Sequence, residues 1–418
     1  MMNEEYNYYI VNTEMTASTS EKIISILIWP LCFLYASMVF ENDKAFDIMF
    51  GIFVLLFITF TEILYWNRKN NAESLAMLVM TIIIASSVCF SFGNVWEKEI
   101  RVFFAHLYAV YWVLCRSDRL AEGETSHMMV WDGIVGFFVM PFKHFLLNAK
   151  TIFTVFRTGG CVKNKKSVPF VLLASFAAAV LFFIALSYLM DADDNYNALM
   201  QDIGVFFKID IDYLFIPKMI INAFASTYLY GLLGGCYREN KEQVYYRAGR
   251  VKGFVEALRK VPGSVWVVFI GFFSLFYAIF FIMQGHYLFD AFIMKLPQEF
   301  TYSQYARKGF GDMCGVMVVN FILFWLSTRT VPTLDKPVKI ASFVLNVESM
   351  FFALIAFLKI AMYINAYGFT PLRFESIWAA TVLMFACVCV MINMLTGRKM
   401  ARIWFMGSAA TLTVLCII

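Results

Sequence analysis

Two segments in the C-terminal half of the chain place tyrosines beside cationic side chains at spacings that suit anion binding. A guanidinium or ammonium group donates strong hydrogen bonds to a carboxylate or a phosphate. The candidate ligand-binding residues are Tyr302, Tyr305, Arg307 and Lys308 in the first segment and Tyr363, Tyr367 and Arg373 in the second. Anchoring at a membrane interface is the alternative, because tyrosine favours that depth. Anchoring does not explain why three cations gather there, so we favour a binding pocket.

The apolar stretch between these segments also carries charge. Glu348 and Lys359 lie on nearly the same face of a helix, with about 16 Å between their backbones along the axis. Asn346 and Ser349 lie near Glu348. Charged side chains are costly inside a membrane, so Glu348, Lys359 and Asn346 are candidates for a polar seam that lines a cavity. A buried tie between helices, with Lys359 reaching outward to the interface, is the open alternative.

The sequence predicts no catalytic, metal or cofactor site. It contains no phosphate-binding loop, no nucleophile elbow and no dinucleotide or zinc-protease motif. The four histidines are scattered, and the nine cysteines form no CxxC pair and are expected to pack as apolar residues. A net charge of only +4 gives no reason to expect nucleic acid as a partner.

The composition indicates a membrane protein. Of the 418 residues, 61% are hydrophobic and 15% are charged, and the mean hydropathy is +0.69. Soluble domains contain about 45–50% apolar and about 25% charged residues. These values exclude a soluble globular domain, a disordered chain and a coiled coil. The predicted fold class is all-α: a polytopic helical integral membrane protein with about 11 transmembrane helices and additional interfacial helices.

The predicted spans are runs of roughly 20 apolar residues, the length that crosses a bilayer. They cover 23–40, 45–66, 74–95, 97–116, 168–190, 213–237, 265–283, 310–328, 340–368, 377–397 and 403–418. Two basic amphipathic segments, 128–156 and 242–261, are expected to lie in the headgroup plane. A short re-entrant helix is the alternative for the first of them.

Loop charge predicts the orientation of these spans. When the spans alternate, 24 of the 34 Lys and Arg residues fall on the side of the N-terminus and nine on the other side. Because basic loops stay in the cytoplasm, we expect the N-terminus inside and the C-terminus outside the plasma membrane. The predicted organisation is a cytoplasmic tail at 1–22, a four-span unit at 23–115, a basic cytoplasmic or interfacial segment at 116–166 and a seven-span unit at 167–418.

The two tyrosine-rich segments also carry a family resemblance. The patterns Tyr-x-x-Tyr-Ala-Arg-x-Gly-Phe at 302–310 and Tyr-x-x-x-Tyr-Gly-Phe-Thr-x-Leu-Arg at 363–373 resemble a bacterial family of multi-pass membrane proteins. That family is domain of unknown function 4173, with its relative 4153, and the resemblance covers about residues 165–395. It implies the fold and the location of the site, but no substrate or reaction. The family commonly has Arg where this chain has Lys359, which keeps the charge but loses a bidentate fork.

These patterns favour a permease-like or lipid-handling protein with an anion-binding pocket on the outer face. The expected partners are membrane lipids, with an anionic lipid or a small anionic solute as ligand. A non-transporting sensor or scaffold that docks through its basic loops is the alternative. An enzyme acting on a lipid-linked substrate is a third, for which Asp312 and Glu375 are the only nearby carboxylates. A permease would have a cavity toward the midplane between the eighth, ninth and tenth spans.

Overall fold

The computed structural model describes most of the chain, and the described part is mainly helical. It covers residues 16–40, 43–90, 98–158, 214–283, 301–333 and 335–417, with 285, 293 and 296, and excludes the side chains of 43, 44, 156–158 and 307–309. The predicted fifth span, 168–190, lies outside the described residues. No strand occurs in the described part of the chain, of which 84% is helical.

The described part of the chain contains fourteen α-helices. Their bounds are α1 (Thr19–Met38), α2 (Asp43–Leu64), α3 (Ala72–Cys89), α4 (Lys98–Ser117), α5 (Met129–Ile134), α6 (Met140–Lys143), α7 (Leu147–Thr158), α8 (Phe215–Arg238), α9 (Lys241–Ala257), α10 (Gly263–Met283), α11 (Tyr302–Thr330), α12 (Lys336–Tyr367), α13 (Pro371–Thr396) and α14 (Ala401–Leu415). A π-helical turn at Val135–Val139 joins α5 to α6.

Eight of these helices are long and apolar enough to cross a membrane, which confirms the predicted all-α membrane fold. They are α1, α2, α3, α8, α10, α11, α12 and α13. Each coincides with a predicted span, because an uninterrupted apolar helix satisfies its own backbone hydrogen bonds and buries nothing polar in lipid.

Two other predicted spans and one predicted interfacial segment differ from these eight helices. α4 (Lys98–Ser117) lies on the fourth predicted span, 97–116, but it carries Lys98, Glu99, Arg101 and Arg116 and is not among the eight. α14 has only 15 residues. The segment 128–156 forms the pair Met129–Lys143 and Leu147–Val155, bent by 48°, which together are apolar enough to be a broken span or a re-entrant pair.

A first compact unit comprises Met1–Lys69 and Ile134–Arg238. In it α1 packs along α8 and α2. Arg238 Nε lies 2.5 Å from Glu21 Oε1, which ties the end of α8 to the start of α1. The Tyr65 hydroxyl, after α2, donates to the Leu233 carbonyl at 2.7 Å. The start of α1 and the ends of α2 and α8 therefore share one end of this unit.

A second compact unit comprises Asn70–Gly133 and Glu239–Ile418. Its central helix is α12, which packs against α10, α11 and α13. Met313 and Met317 of α11 are buried against Ala353 and Ala356 of α12, where small side chains let the two helices approach closely. The division predicted from sequence, at 116–166, follows loop length rather than packing and stays a prediction.

The loops of the second unit that carry the predicted cytoplasmic charge share one end. Arg402, in the first turn of α14, contacts Glu73, in the first turn of α3, at 3.2 Å. Lys252 of α9 contacts Glu122, in the loop after α4, at 2.7 Å. The Val261 amide, before α10, donates to the carbonyl of Thr330 at the end of α11. This grouping is the one that alternating spans require, and the side of the membrane rests on the loop charge.

Candidate functional site

The two tyrosine-rich segments meet at the start of α11 and the end of α12. The Tyr302 and Tyr367 rings lie edge to face with their centres 6.1 Å apart. The Tyr363 hydroxyl donates to Ser303 Oγ at 3.3 Å. Lys359, Tyr363 and Tyr367 are spaced four residues apart and therefore form one stripe on α12. We call this group, with Tyr302, Tyr305 and Arg373, the aromatic–cation cluster.

Local sequence signals explain why these two helix ends meet where they do. Thr301 caps α11 through a capping box with Gln304, which satisfies amides at the helix start. Gly368 ends α12 with a φ of 75°, a conformation that favours glycine. Pro371 then begins α13, where its fixed φ suits the first helical turn. The turn is short, so Arg373 lies back over the last turns of α12.

Arg373 is held flat against the tyrosines. Its guanidinium carbon lies 3.9 Å from the centre of the Tyr363 ring and 5.8 Å from that of Tyr367. Its Nη1 donates to the Gly368 carbonyl at 2.5 Å. No carboxylate of the described residues forms an ion pair with it. A guanidinium has five N–H donors, so most of its donors are not used by these contacts.

Lys359 occupies a deeper position on the same stripe. Its Nζ lies 4.5 Å from the centre of the Tyr305 ring, and the residue is only 7% exposed. It lies about 11 Å along the axis from the middle of α12, whereas Tyr363 lies about 17 Å away. If the middle of α12 is placed at the bilayer centre, with half the hydrocarbon thickness about 15 Å, Lys359 lies within the hydrocarbon and Tyr363 at its edge. Arg307 and Lys308 belong to α11, but their side chains lie outside the described residues.

A second polar group lies near the middle of the helices, and the sequence prediction found only part of it. The Ser274 hydroxyl donates to Glu348 Oε2 at 2.8 Å. The Tyr277 hydroxyl donates to Asn320 Oδ1 at 2.7 Å, and Asn320 Nδ2 donates to Ser349 Oγ at 2.8 Å. We call Ser274, Tyr277, Asn320, Asn346, Glu348 and Ser349 the midplane polar cluster.

This cluster joins four helices of the second unit. Asn346 Nδ2 extends it to α13 by donating to the Cys387 carbonyl at 2.9 Å. Ser274, Tyr277 and Asn320 were not singled out from the sequence. Each is an isolated polar residue in an apolar run, and their common level along the helices is the signal that would have found them. These hydrogen bonds between helices fit the alternative in which the polar residues are a buried tie between helices. The Glu348 carboxyl accepts a hydrogen bond from a single described hydroxyl, that of Ser274.

A groove of about 440 Å³ runs between α10 and α12. Its lining residues are Val267, Ile270, Gly271, Ser274, Pro337, Ile340, Ala341 and Val344. The cavity expected for a permease was placed between the eighth, ninth and tenth spans, whereas this groove lies between the seventh and the ninth. The difference arises because α10 is exposed along most of its length and contacts α12 through only part of one face.

The shared loop end of the second unit contains an ion network that the sequence does not reveal. Glu73 accepts hydrogen bonds from the amide and hydroxyl of Thr125, and Arg402 contacts both Glu73 and Glu124. The Glu73 side chain is only 4% exposed, so its partners offset the cost of burying a charge. Residues 73 and 402 are far apart in the chain, and no local pattern links them.

His127 and Glu122 lie together in the loop after α4. Burial lowers the pKa of His127 below its ordinary value of 6.5, against the opposing charge of Glu122 3.5 Å away. Burial alone would raise the pKa of Glu122, but hydrogen bonds from Lys252 and Ser126 and the charge of His127 lower it overall. The folded loop therefore favours a neutral imidazole beside a charged carboxylate.

The fold is that of a multi-pass helical membrane protein. Comparison of its sequence with known families identifies the family. The chain belongs to the family described as Domain of unknown function (DUF4153), whose sequence profile matches residues 79–418. The match includes both tyrosine-rich segments and begins well before residue 165, where the resemblance was expected to start. The resemblance to family 4173 is not confirmed. Comparison with curated proteins and with solved structures gives no match.

Proposed function

We propose that this protein is a permease-like or lipid-handling membrane protein that binds an anionic oxygen group at the aromatic–cation cluster. The observation that carries the proposal is the state of Arg373. Its guanidinium is fixed by the Tyr363 ring and the Gly368 carbonyl, and no described carboxylate pairs with it. A fixed planar fork with unused donors suits a carboxylate or a phosphate, which it can bind through two parallel hydrogen bonds.

The depth of the cluster supports a lipid phosphate or an acidic solute arriving from the membrane surface. Tyr363 and Arg373 lie at the headgroup level, and Lys359 lies one helical turn deeper. By the loop-charge prediction this is the outer face of the membrane. A bound anion at Arg373 would then have a second cation below it, on the side facing the midplane polar cluster. A graded path of this kind is what a permease needs and what simple anchoring does not.

Lipid retention tests the proposal without a known activity. Wild-type protein, Arg373→Ala and Arg373→Lys are released from vesicles of mixed phosphatidylglycerol and phosphatidylcholine, and native mass spectrometry counts the retained lipids. Arg398→Ala is the matched control, because Arg398 follows the opposite end of α13. We expect retained phosphatidylglycerol to fall several-fold in Arg373→Ala, to recover only partly in Arg373→Lys, and to be unchanged in the control.

Two further outcomes are informative: the first identifies the source of the anion, and the second would reject the site. If inorganic phosphate displaces the retained lipid from wild-type protein, the site recognises the phosphate group, and a soluble anion is an equal candidate. If Arg373→Ala retains as much phosphatidylglycerol as wild type does, the proposed anion site is wrong. The tyrosines then serve as interface anchors.

A sensor or scaffold is the second candidate function, and α9 is the observation that favours it. Tyr245, Tyr246 and Phe254 are 78%, 69% and 66% exposed, respectively, and the exposed Arg250 lies among them. Aromatic and basic side chains on one short helix suit an anionic surface. Substituting Arg250 and Phe254 together should abolish a docking function while leaving lipid retention at Arg373 intact.

A further inference from the structure

We propose that Glu348 is a reversible proton-binding site inside the membrane, reached through the groove between α10 and α12. The inference is independent of the anion site, because it concerns a different part of α12. It rests on three observations: the depth of Glu348, the small number of groups that stabilise its charge, and the groove that leads to its partner.

Two helices agree on the depth of Glu348. Along α12 (Lys336–Tyr367) it lies three to four residues from the middle, or about 5 Å. Its partner Ser274 lies one residue from the middle of α10 (Gly263–Met283). Since both helices are long enough to cross the bilayer, the carboxyl lies near the centre of the hydrocarbon. A charged carboxylate is most costly at that depth.

Among the described residues, few groups near Glu348 stabilise a negative charge. The Ser274 hydroxyl is the described donor to its carboxyl. From α10 the nearby titratable side chain is Tyr277, whose own hydroxyl donates to Asn320. α13 brings Cys387, and Lys359 is about 16 Å away along α12. No cation of the described residues is bonded to Glu348.

The third helix packed against α12 adds no charge at this level. α11 brings the neutral Asn320, and its nearest titratable side chain, Cys314, lies about 9 Å further along that helix. With one hydroxyl as donor and no counter-ion among the described residues, the carboxyl is stabilised by taking up a proton. Loss of that proton requires a path to water.

We assign that path to the groove. It extends from Pro337 at the start of α12 and Val267 near the start of α10 to Ser274. Val344, which lines it, is one helical turn before Glu348 and shares its face. Val344 and Phe351, on either side of Glu348 on this face, are exposed. The carboxyl therefore borders an open strip that begins at the loop end of the second unit and whose lining is apolar apart from Ser274.

A hydrophobic carbodiimide tests the proposal, because it reacts with a neutral carboxylic acid that is accessible from the membrane. The protein in lipid vesicles is treated with dicyclohexylcarbodiimide at several pH values, and peptide mass spectrometry locates the adduct. Asp335, the exposed N-cap of the same helix, is the internal control. At about pH 7.5 we expect Glu348 to be labelled at least about tenfold more than Asp335, because an exposed carboxyl is almost fully ionised there. The Glu348 adduct should fall as the pH is raised further.

Ser274→Ala provides a second readout that does not depend on how Glu348 variants fold. The Ser274 hydroxyl donates to the carboxylate and so favours its charged form. Its removal should extend labelling of Glu348 to higher pH, while Ser376→Ala, on the exposed start of α13, should have no effect. Glu348→Gln should lose the adduct. Equal labelling of Glu348 and Asp335 at about pH 7.5 would overturn the proposal. So would labelling that never changes with pH, since the carboxyl would then be permanently neutral.

Discussion

The Arg373 guanidinium lies 3.9 Å above the ring of Tyr363, ten residues earlier in the chain. The turn between α12 and α13 creates this pairing, because Gly368 ends one helix and Pro371 begins the next. The same guanidinium donates to the Gly368 carbonyl. The turn, the ring and the cation therefore form one unit, in which a change to any member should alter the others.

Substitutions at Tyr363 should separate the ring from the hydroxyl. Tyr363→Phe keeps the stack and loses the hydrogen bond to Ser303, at a cost of about 0.5–1.5 kcal/mol. Tyr363→Leu also loses the cation–π contact, worth about 0.5–2 kcal/mol. We expect Tyr363→Phe to retain phosphatidylglycerol like wild type in native mass spectrometry and Tyr363→Leu to lose it. Equal retention by both variants would show that the ring does not position Arg373.

Two glycines at helix ends offer a matched test of the turn. Gly368 has φ 75° and ψ −178°, a region that is essentially restricted to glycine and costs other residues about 1–3 kcal/mol. Gly397 has φ 70° and ψ 4°, where an L-residue costs about 1–2 kcal/mol. Neither position has a heavy atom within 4 Å of an added Cβ, so the difference arises in the backbone.

Gly368→Ala should therefore lower the thermal unfolding midpoint more than Gly397→Ala does. It should also reduce lipid retention at Arg373, whose acceptor it displaces, while Gly397→Ala leaves retention unchanged. A larger effect at Gly397 on both measurements would contradict this account of the turn.

Arg402→Ala should destabilise the second unit more than Lys241→Ala. Arg402 contacts the buried Glu73 and the exposed Glu124, so its removal leaves a buried carboxylate with fewer partners, at about 1–3 kcal/mol. Lys241 pairs with Asp118 at the surface, where the Lys241 side chain is 79% exposed, and such pairs contribute about 0–1 kcal/mol. Thermal unfolding in the same detergent gives the ranking, and the reverse order would contradict the network.

Acid should weaken the loop that contains His127 and Glu122. The pKa of His127 is lowered by burial in the folded state, so the unfolded chain binds its proton first, and stability falls as the pH drops below the ordinary value of 6.5. The pKa of Glu122 is also lowered overall, although burial opposes this. Its contribution is present above the ordinary value of 4.5 and is lost only as the pH falls below it.

His127→Gln should isolate the first of these two losses. Wild-type protein should show a falling unfolding midpoint between about pH 7 and pH 5, and the variant should show a flatter profile over that range. Below about pH 4.5 both proteins should lose stability through Glu122. Parallel profiles over the whole range would contradict the assignment to His127.

Most of the fold was predictable because it follows from local sequence. α13 is an example, since an apolar run begins after Thr370-Pro371 and ends at Gly397. α4 and α14 were harder, because the charges of α4 lie within its helix and α14 is only 15 residues long. Length and hydropathy do not separate such helices from spans.

The candidate site was predictable only where its residues lie in recognisable turn motifs. Tyr363, Tyr367 and Arg373 flank a glycine–proline turn, and the structure brings them together with Tyr302. Ser274 and Asn320 meet the seam around Glu348 only through helix packing. The sequence does not say which apolar helices are neighbours or at what register, and no single polar residue in an apolar run reveals its partner.

The most direct test of the central claim is a cryo-EM density map of the protein in native-lipid nanodiscs, inspected around Arg373. We predict an anionic group, a phosphate or a carboxylate, within hydrogen-bond distance of the guanidinium on the side away from the Gly368 carbonyl, with Tyr363 still stacked beneath it. A guanidinium that contacts only water, or that pairs with a carboxylate of the protein, would contradict the claim.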